Sequence, residues 1–317
     1  MRLRGAWISD KSSFCCGSGG RSPPSGPRVT TQLSYRKRMA MSTSPEAPQP
    51  ARKAPVSCYI RTLNEERLLK SVIDSALTVV DEVVIIDSGS KDRTLEIARA
   101  AGARIVDQPW LGWGFQKRKG EDACSHDWVL DLDADEVVTP ELAAEIAALF
   151  VDGPPSKPAW RFRLITAPPF GEPWYNIRVI ERTKLYDRRV VRMPADKAWD
   201  QMIVPENVEV GELRGVLLHH SFRDIEQLLE KYNRGSTSMA KVGRKKKGMA
   251  TIIFRVIFAK PFYFLKAYIG RGFWRAGLYG LILAHVSAMG RWLRDAKMYE
   301  ADAMEAERRK RDQQGQG

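Results

Sequence analysis

Between residues 55 and 136 short apolar runs alternate with amphipathic stretches, and this alternation restricts the fold more than any other feature of the chain. Val56–Ile60, Val83–Ile86, Arg104–Val106 and Trp128–Leu132 read as strands. After the first strand Asn64 is expected to cap a helix, because Leu68, Leu69, Val72, Ile73, Ala76, Leu77 and Val80 recur at helical spacing. A second helix through Thr94–Ala101 is closed by Gly102. Strands that alternate with helices imply right-handed βαβ units and a parallel sheet, with ligands at the carboxyl ends of the strands. The expected class is α/β, a mostly parallel Rossmann-like sheet flanked by helices.

The polar residues fall where that rule places a ligand. Thr62-Leu63-Asn64-Glu65-Glu66 follows the first strand, Asp87-Ser88-Gly89-Ser90 the second, and Asp131-Leu132-Asp133-Ala134-Asp135-Glu136 closes the fourth. If the last strand persists, Asp131, Asp133 and Asp135 share one side; a turn after Asp133 lets Asp133 and Asp135 converge. Such a cluster is costly unless a cation neutralises it, and Mg²⁺ or Mn²⁺ uses one or two carboxylates together with substrate phosphate oxygens. The alternative is a solvated acidic turn leading into the helix that Pro140-Glu141-Leu142 begins.

Charge is divided unevenly along the 317 residues, whose net formal charge is +13. Residues 1–54 carry +8 and residues 241–317 carry +11, while residues 55–240 carry −6. An acidic body argues against a nucleic-acid groove, and no nucleic-acid partner is expected. Residues 1–54, rich in Ser, Gly, Pro and Arg, are expected to be a disordered basic segment, with Met39 and Met41 as alternative starts. Cys15, Cys16, Cys58 and Cys124 lack metal-ligand or disulfide spacing, which suits a reducing cytoplasm.

Ile60-Arg61-Thr62-Leu63-Asn64-Glu65-Glu66, Val84-Ile85-Ile86-Asp87-Ser88-Gly89-Ser90 and Leu130-Asp131-Leu132-Asp133-Ala134-Asp135-Glu136 together resemble family 2 glycosyltransferases of the GT-A fold. Lipopolysaccharide-core glycosyltransferases are the members they look most like. The resemblance continues through Gly112-Trp113-Gly114-Phe115-Gln116-Lys117 and Leu217-Leu218-His219-His220. It implies a GT-A domain over residues 55–240, with a nucleotide-sugar half at 55–155 and an acceptor half at 156–240. It further implies Thr62, Asn64, Glu65, Asp87, Gln116, Lys117 and Asp133 around a nucleotide-sugar donor, and Asp133, Asp135 and His219 around a divalent cation, Mg²⁺ or Mn²⁺. An inverting transferase needs a base for the acceptor hydroxyl. Glu206 matches the family's carboxylate, with Pro205 where a histidine is expected, and Asp200 is the rival. Lys117 to Lys119 also read as an exposed basic loop, and His219 also reads as a packing residue. Trp174, Tyr175 and Trp199 are candidates to stack on an acceptor sugar, or core aromatics.

Residues 251–290 are strongly apolar but interrupted by Arg255, Lys260, Pro261, Lys266, Arg271 and Arg275. The uncharged stretch from Ala276 to Met289 has 14 residues, short of the roughly 20 a spanning helix needs. With Arg244-Lys245-Lys246-Lys247 beside it, residues 241–317 read as an amphipathic helical extension lying on an anionic membrane surface. The function expected is sugar transfer from a nucleotide-sugar to a glycan or lipid-linked acceptor, at the inner face of the cytoplasmic membrane, in envelope polysaccharide synthesis. A non-catalytic envelope-assembly protein of the same fold is the alternative.

Overall fold

A computed structural model describes residues 53–177, 179–197, 199–244 and 248–314. The segment expected to be disordered lies outside these residues except for Lys53 and Ala54, and Ala54 opens the first strand. In chain order the elements are β1 (Ala54–Thr62), α1 (Leu69–Leu77), β2 (Val80–Asp87), α2 (Thr94–Ala100), β3 (Arg104–Asp107), α3 (Trp113–Ala123), β4 (Trp128–Asp133), β5 (Glu136–Val138) and α4 (Pro140–Leu149). They continue with β6 (Ala159–Thr166), β7 (Ile180–Asp187), β8 (Val210–His219), α5 (Ile225–Arg244), α6 (Met249–Tyr268), a short 3₁₀ turn (Phe273–Ala276) and α7 (Gly277–Gln314).

All eight strands form one sheet in the order β3-β2-β1-β4-β7-β6-β8-β5. The first four are mutually parallel, as the alternation of runs implies. β7 enters antiparallel beside β4, and β6 runs antiparallel to β7 but parallel to β8. The sheet's order reverses between β1 and β4, so a crevice opens at their carboxyl ends. Register aligns those ends: Thr62 is opposite Asp87, and Arg61 opposite Asp133.

Alternation along the strands supplies two apolar layers. Val56, Cys58, Ile60, Ile85, Leu130 and Leu132 pack with Leu69, Val72 and Ile73 of α1 and Leu142 and Ile146 of α4. On the other face Tyr59, Val84, Ile86, Val129 and Tyr186 form a second layer beneath α3. A Cβ on Gly120 would lie 2.7 Å from the Tyr59 ring, so glycine there sets how closely α3 approaches β1. Cys58 and Cys124 are buried free thiols, and burial pushes Cys124 up to about 12, which suits packing rather than reactivity.

The helix starts show which local signals hold. Thr139 caps α4, accepting from the Leu142 amide, with Pro140 in the first turn as the sequence implies. Gly102 takes a positive φ of 75° after α2, as expected. Asn64 is not the cap of α1, which starts only at Leu69 and has no side-chain cap. It sits instead at φ 56° and its Oδ1 accepts from the Lys91 amide, tying the loop after β1 to the loop after β2. The asparagine's ability to adopt the left-handed region was used for a turn rather than for a helix.

Candidate active site

The strand ends converge on a cavity of about 140 Å³ bordered by Lys117, Asp131, Asp133, Lys184, Asp200 and His219. Its floor is a buried set of alternating charges. Lys117 Nζ donates to Asp131 Oδ2 at 2.9 Å and lies 3.3 Å from Asp133 Oδ1. Lys184 Nζ donates to Glu136 Oε2 at 2.8 Å and lies 3.7 Å from Asp131 and 3.6 Å from Asp133. Arg61 Nε donates to Asp133 Oδ1 at 2.8 Å. Three carboxylates thus meet three cations. Burial alone would raise the Asp133 carboxyl, but Lys117, Lys184 and Arg61 outweigh it and hold it well below the ordinary carboxylate range. Burial also opposes the charge on Lys184, which Asp131, Glu136 and Asp133 more than restore.

β4 stops at Asp133, so Asp131 and Asp133 share the face that Val129 also occupies, while the following turn carries Asp135 away from it. Asp135 meets His219, with Oδ2 3.4 Å from Nε2. The β5–β8 pairing sets this up by placing Glu136 opposite His219, and the His220 amide donates to the Asp135 carbonyl. Burial would raise the Asp135 carboxyl, but the hydrogen bond from His219 lowers it; the same bond raises the imidazole against the effect of burial. Glu65 is pushed up to about 7 by burial and then by the charge of Asp135.

The remaining sequence candidates divide by place. Thr62 Oγ1 donates to Asp87 Oδ1, and Asp87 Oδ2 accepts from the Gly89 and Ser90 amides, each at 2.8 Å. Asp87 therefore shapes the 87–90 turn while lying buried under it. Gln116 is fully buried and donates to Ser88 Oγ and to the carbonyls of Gln108 and Pro109, so it supports the same rim from below. Lys117 is buried too, not part of an exposed basic loop.

Of the two candidate bases, Asp200 borders the cavity and accepts from Arg61 Nη2 at 3.1 Å. Glu206 lies in an exposed turn and does not border it. The loop that carries Asp200 is fastened by Gly112-Trp113-Gly114. The Trp113 amide donates to the Lys197 carbonyl and the Gly114 amide to that of Asp196. A Cβ on Gly114 would lie 2.4 Å from the Pro194 carbonyl oxygen, which leaves no room for a side chain. Sequence reasoning assigned no role to Arg61, Lys184 or Glu136. Arg61 also stacks on the Trp113 ring, 4.4 Å from its centroid.

His219 borders the cavity and Asp135 is its partner, so the pair offers one carboxylate oxygen and one imidazole nitrogen. That donor set fits a hard divalent ion that takes its other ligands from phosphate oxygens and water. Among the described residues no three His, Cys, Asp or Glu side chains are grouped to hold a metal by themselves. Asp131, Asp133 and Glu136 have lysine or arginine partners, and Asp135 has His219.

A polar crevice at the switch point of an α/β sheet, edged with carboxylates, is where such sheets bind ligands. Residues 57–192 match the glycosyl transferase family 2 description. The lipopolysaccharide core biosynthesis glycosyltransferase LpsC of Rhizobium meliloti is 34% identical over 263 residues, covering 80% of this chain and 95% of that protein. An uncharacterized glycosyltransferase of Rickettsia typhi is 31% identical over 254 residues, covering 77% and 87%. A solved glucosyl-3-phosphoglycerate synthase of Mycobacterium tuberculosis, in complex with Mn²⁺, uridine diphosphate and phosphoglyceric acid, is 29% identical over 36% of this chain and 43% of that one, at a TM-score of 0.29. That last likeness spans less than half of either chain. The chain belongs to glycosyl transferase family 2 and is a glycosyltransferase.

The buried charges make a stability prediction. Lys117→Met leaves Asp131 short of its nearest cation and is expected to destabilise the fold by about 3–5 kcal/mol in denaturant titration. Lys117→Met combined with Asp131→Leu is expected to recover most of that loss, since removal of both charges leaves no unpaired ion. A double variant as unstable as the sum of the single ones would contradict this account.

Proposed function

We propose that the protein is an inverting, divalent-cation-dependent glycosyltransferase that moves a sugar from a nucleotide-sugar to a glycan or lipid-linked acceptor of the envelope. The observation that supports it best is that Asp200 and His219, the latter paired with Asp135, border one cavity over a floor whose own charges are already matched. Support for an envelope acceptor comes from the named role of the Rhizobium meliloti relative.

In this mechanism the rim made by Thr62, Asn64, Asp87 and the 87–90 turn receives the nucleotide, while Glu65 and Lys117 flank and support it. Asp135 and His219 would hold Mg²⁺ or Mn²⁺. The ion when bound supplies a Lewis acid that offsets charge on the departing diphosphate. His219 must give up its proton to serve as a ligand. Asp200 accepts the proton of the acceptor hydroxyl as that oxygen bonds to the anomeric carbon and the bond from that carbon to the diphosphate breaks. Arg61 fixes the orientation of Asp200 through its second nitrogen. The base role goes to Asp200 rather than Glu206 because it alone of the two borders the cavity.

Asp135→Ala is expected to abolish transfer while leaving thermal stability close to wild type. Asp200→Asn should keep donor binding and lose on the order of 10²-fold or more in kcat. Glu206→Gln is expected to stay within a few fold of wild type. A collapse confined to Glu206→Gln would move the base to that residue, and full activity in excess chelator would remove the metal from the mechanism.

The proposal includes peripheral attachment to the anionic inner face of the cytoplasmic membrane. Residues 231–294 contain 14 Lys and Arg and no Asp or Glu. Within them α6 turns Ile252, Tyr263 and Ala267 inward, while Phe254, Ile257, Phe258, Phe262 and Leu265 are all at least half exposed on the opposite side. Lys260 and Lys266 flank that apolar stripe at helical spacing. Among the described residues no helix is long and apolar enough to cross a membrane. Phe254→Ser with Phe258→Ser should shift the protein off phosphatidylglycerol-containing vesicles in a sedimentation assay, and raised salt should weaken wild-type binding. Equal sedimentation of variant and wild type, insensitive to salt, would refute the interfacial role of α6.

A further inference from the structure

The catalytic cavity opens where β7 parts from β4. The two strands pair from Asp187 to Leu185, and towards its start β7 continues beside β6. Asp131 and Asp133 of β4 and Ile180, Arg182 and Thr183 of β7 border the opening. Against β6 the register slips: Trp160 is opposite Leu185 and Arg161 opposite Thr183, so Lys184 is the extra residue of a β-bulge. The bulge lets Lys184 turn inward to Glu136, while the half-buried Arg182 stays on the cavity border, opposite Phe162 in the ladder.

Partnership distinguishes Arg182 from the other cations of the lining. Of the carboxylates that border the cavity, Asp131 is met by Lys117, Glu136 by Lys184, and Asp133 and Asp200 by Arg61. Among the described residues Arg182 contacts no carboxylate; its Nη1 donates to the Glu181 carbonyl at 2.8 Å, and the Glu181 carboxylate faces Arg161 instead. One bond to a neutral oxygen leaves most donors of a guanidinium for a group that enters the cavity.

Position decides which group that is. The proposed nucleotide rim lies at the ends of β1 and β2, and the sheet order sets β4 between β1 and β7. Arg182 is therefore across Asp131 and Asp133 from the rim, in the same cavity as Asp200, the proposed base. We propose that Arg182 selects the acceptor by binding a carboxylate or phosphate carried on its sugar ring, so that a hydroxyl of that ring is turned to Asp200. The planar fork of arginine suits either anion, since both accept two parallel hydrogen bonds from it. This deepens the glycosyltransferase reading and rests on it for taking the bound ring as the acceptor.

The test is calorimetry on the full chain with glucuronic acid, glucose 6-phosphate and glucose as probes, with and without Mn²⁺ and uridine diphosphate. Wild type should bind at least one of the two acids about tenfold or more tighter than glucose, and Arg182→Gln should remove that preference. Arg182→Lys should restore part of it, which separates lost charge from lost folding; melting curves of all three proteins check the fold. Equal binding of the acids and glucose, no binding of either acid, or an acid preference that survives Arg182→Gln would overturn the proposal. A preference for uridine diphosphate glucuronic acid over uridine diphosphate glucose that Arg182→Gln abolishes would put the anion on the donor and overturn it as well. Nucleotide-sugar hydrolysis by wild type without acceptor reports the transferase reading separately, because its absence would sink that reading and leave the acid preference at Arg182 measurable.

Discussion

Six charged side chains under the crevice, Asp131, Asp133 and Glu136 against Lys117, Lys184 and Arg61, decide how the rest of the site is arranged. They join β1, α3, β4, β7 and β5, and five of the six are at most 17% exposed. Ions taken out of water are expensive, and a buried pair stabilises only when its geometry and partners are complete. Here Asp131 and Asp133 each contact more than one cation and Glu136 contacts Lys184, though Asp131 Oδ1 has no hydrogen-bond partner. The set is therefore better understood as a device for position than as a source of stability. It ends β4 at Asp133 and sends Asp135 towards His219.

A second constraint fastens the loop that covers the crevice. Gly112 and Gly114 let α3 begin against the backbone of Pro194, Asp196, Lys197 and Trp199, and Glu121 at the other end of α3 accepts from the Met193 amide at 2.7 Å. Arg61 then reaches Asp200 from the sheet. The proposed donor floor and the proposed base are thus linked through one guanidinium, which contacts Asp133, Asp200 and Trp113 together. A change at Arg61 bears on both.

The parallel half was legible because its signals are local. Apolar runs marked β1 to β4, and polar loops marked the ends that carry Thr62, Asp87 and Asp133. Asn64 misled because a residue suited to capping is equally suited to a left-handed turn, and the sequence does not say which neighbour will claim its side chain. The acidic run suggested neutralisation by a metal at Asp133 and Asp135; the protein cations Lys184 and Arg61, which meet Glu136 and Asp133, are separated from them by 48 and 72 residues. Lys184 lies in a strand of mixed polarity, Ile180–Asp187, so its burial left no mark on the local pattern. At the C-terminus the apolar content of α6 was visible, but the helical part begins at Ile225 rather than at 241, and α6 continues through Pro261 to Tyr268.

The central claim is that protein cations satisfy the buried carboxylates and leave Asp135 with His219 for a divalent ion. Crystals grown with Mn²⁺ and a nucleoside diphosphate, measured at the manganese edge, test it most directly. The account predicts an anomalous peak within bonding distance of Asp135 Oδ2 and His219 Nε2, with Lys117 and Lys184 still on Asp131 and Glu136. A peak between Asp131 and Glu136 with the lysines displaced, or no peak anywhere in the crevice with the nucleotide bound, would contradict it.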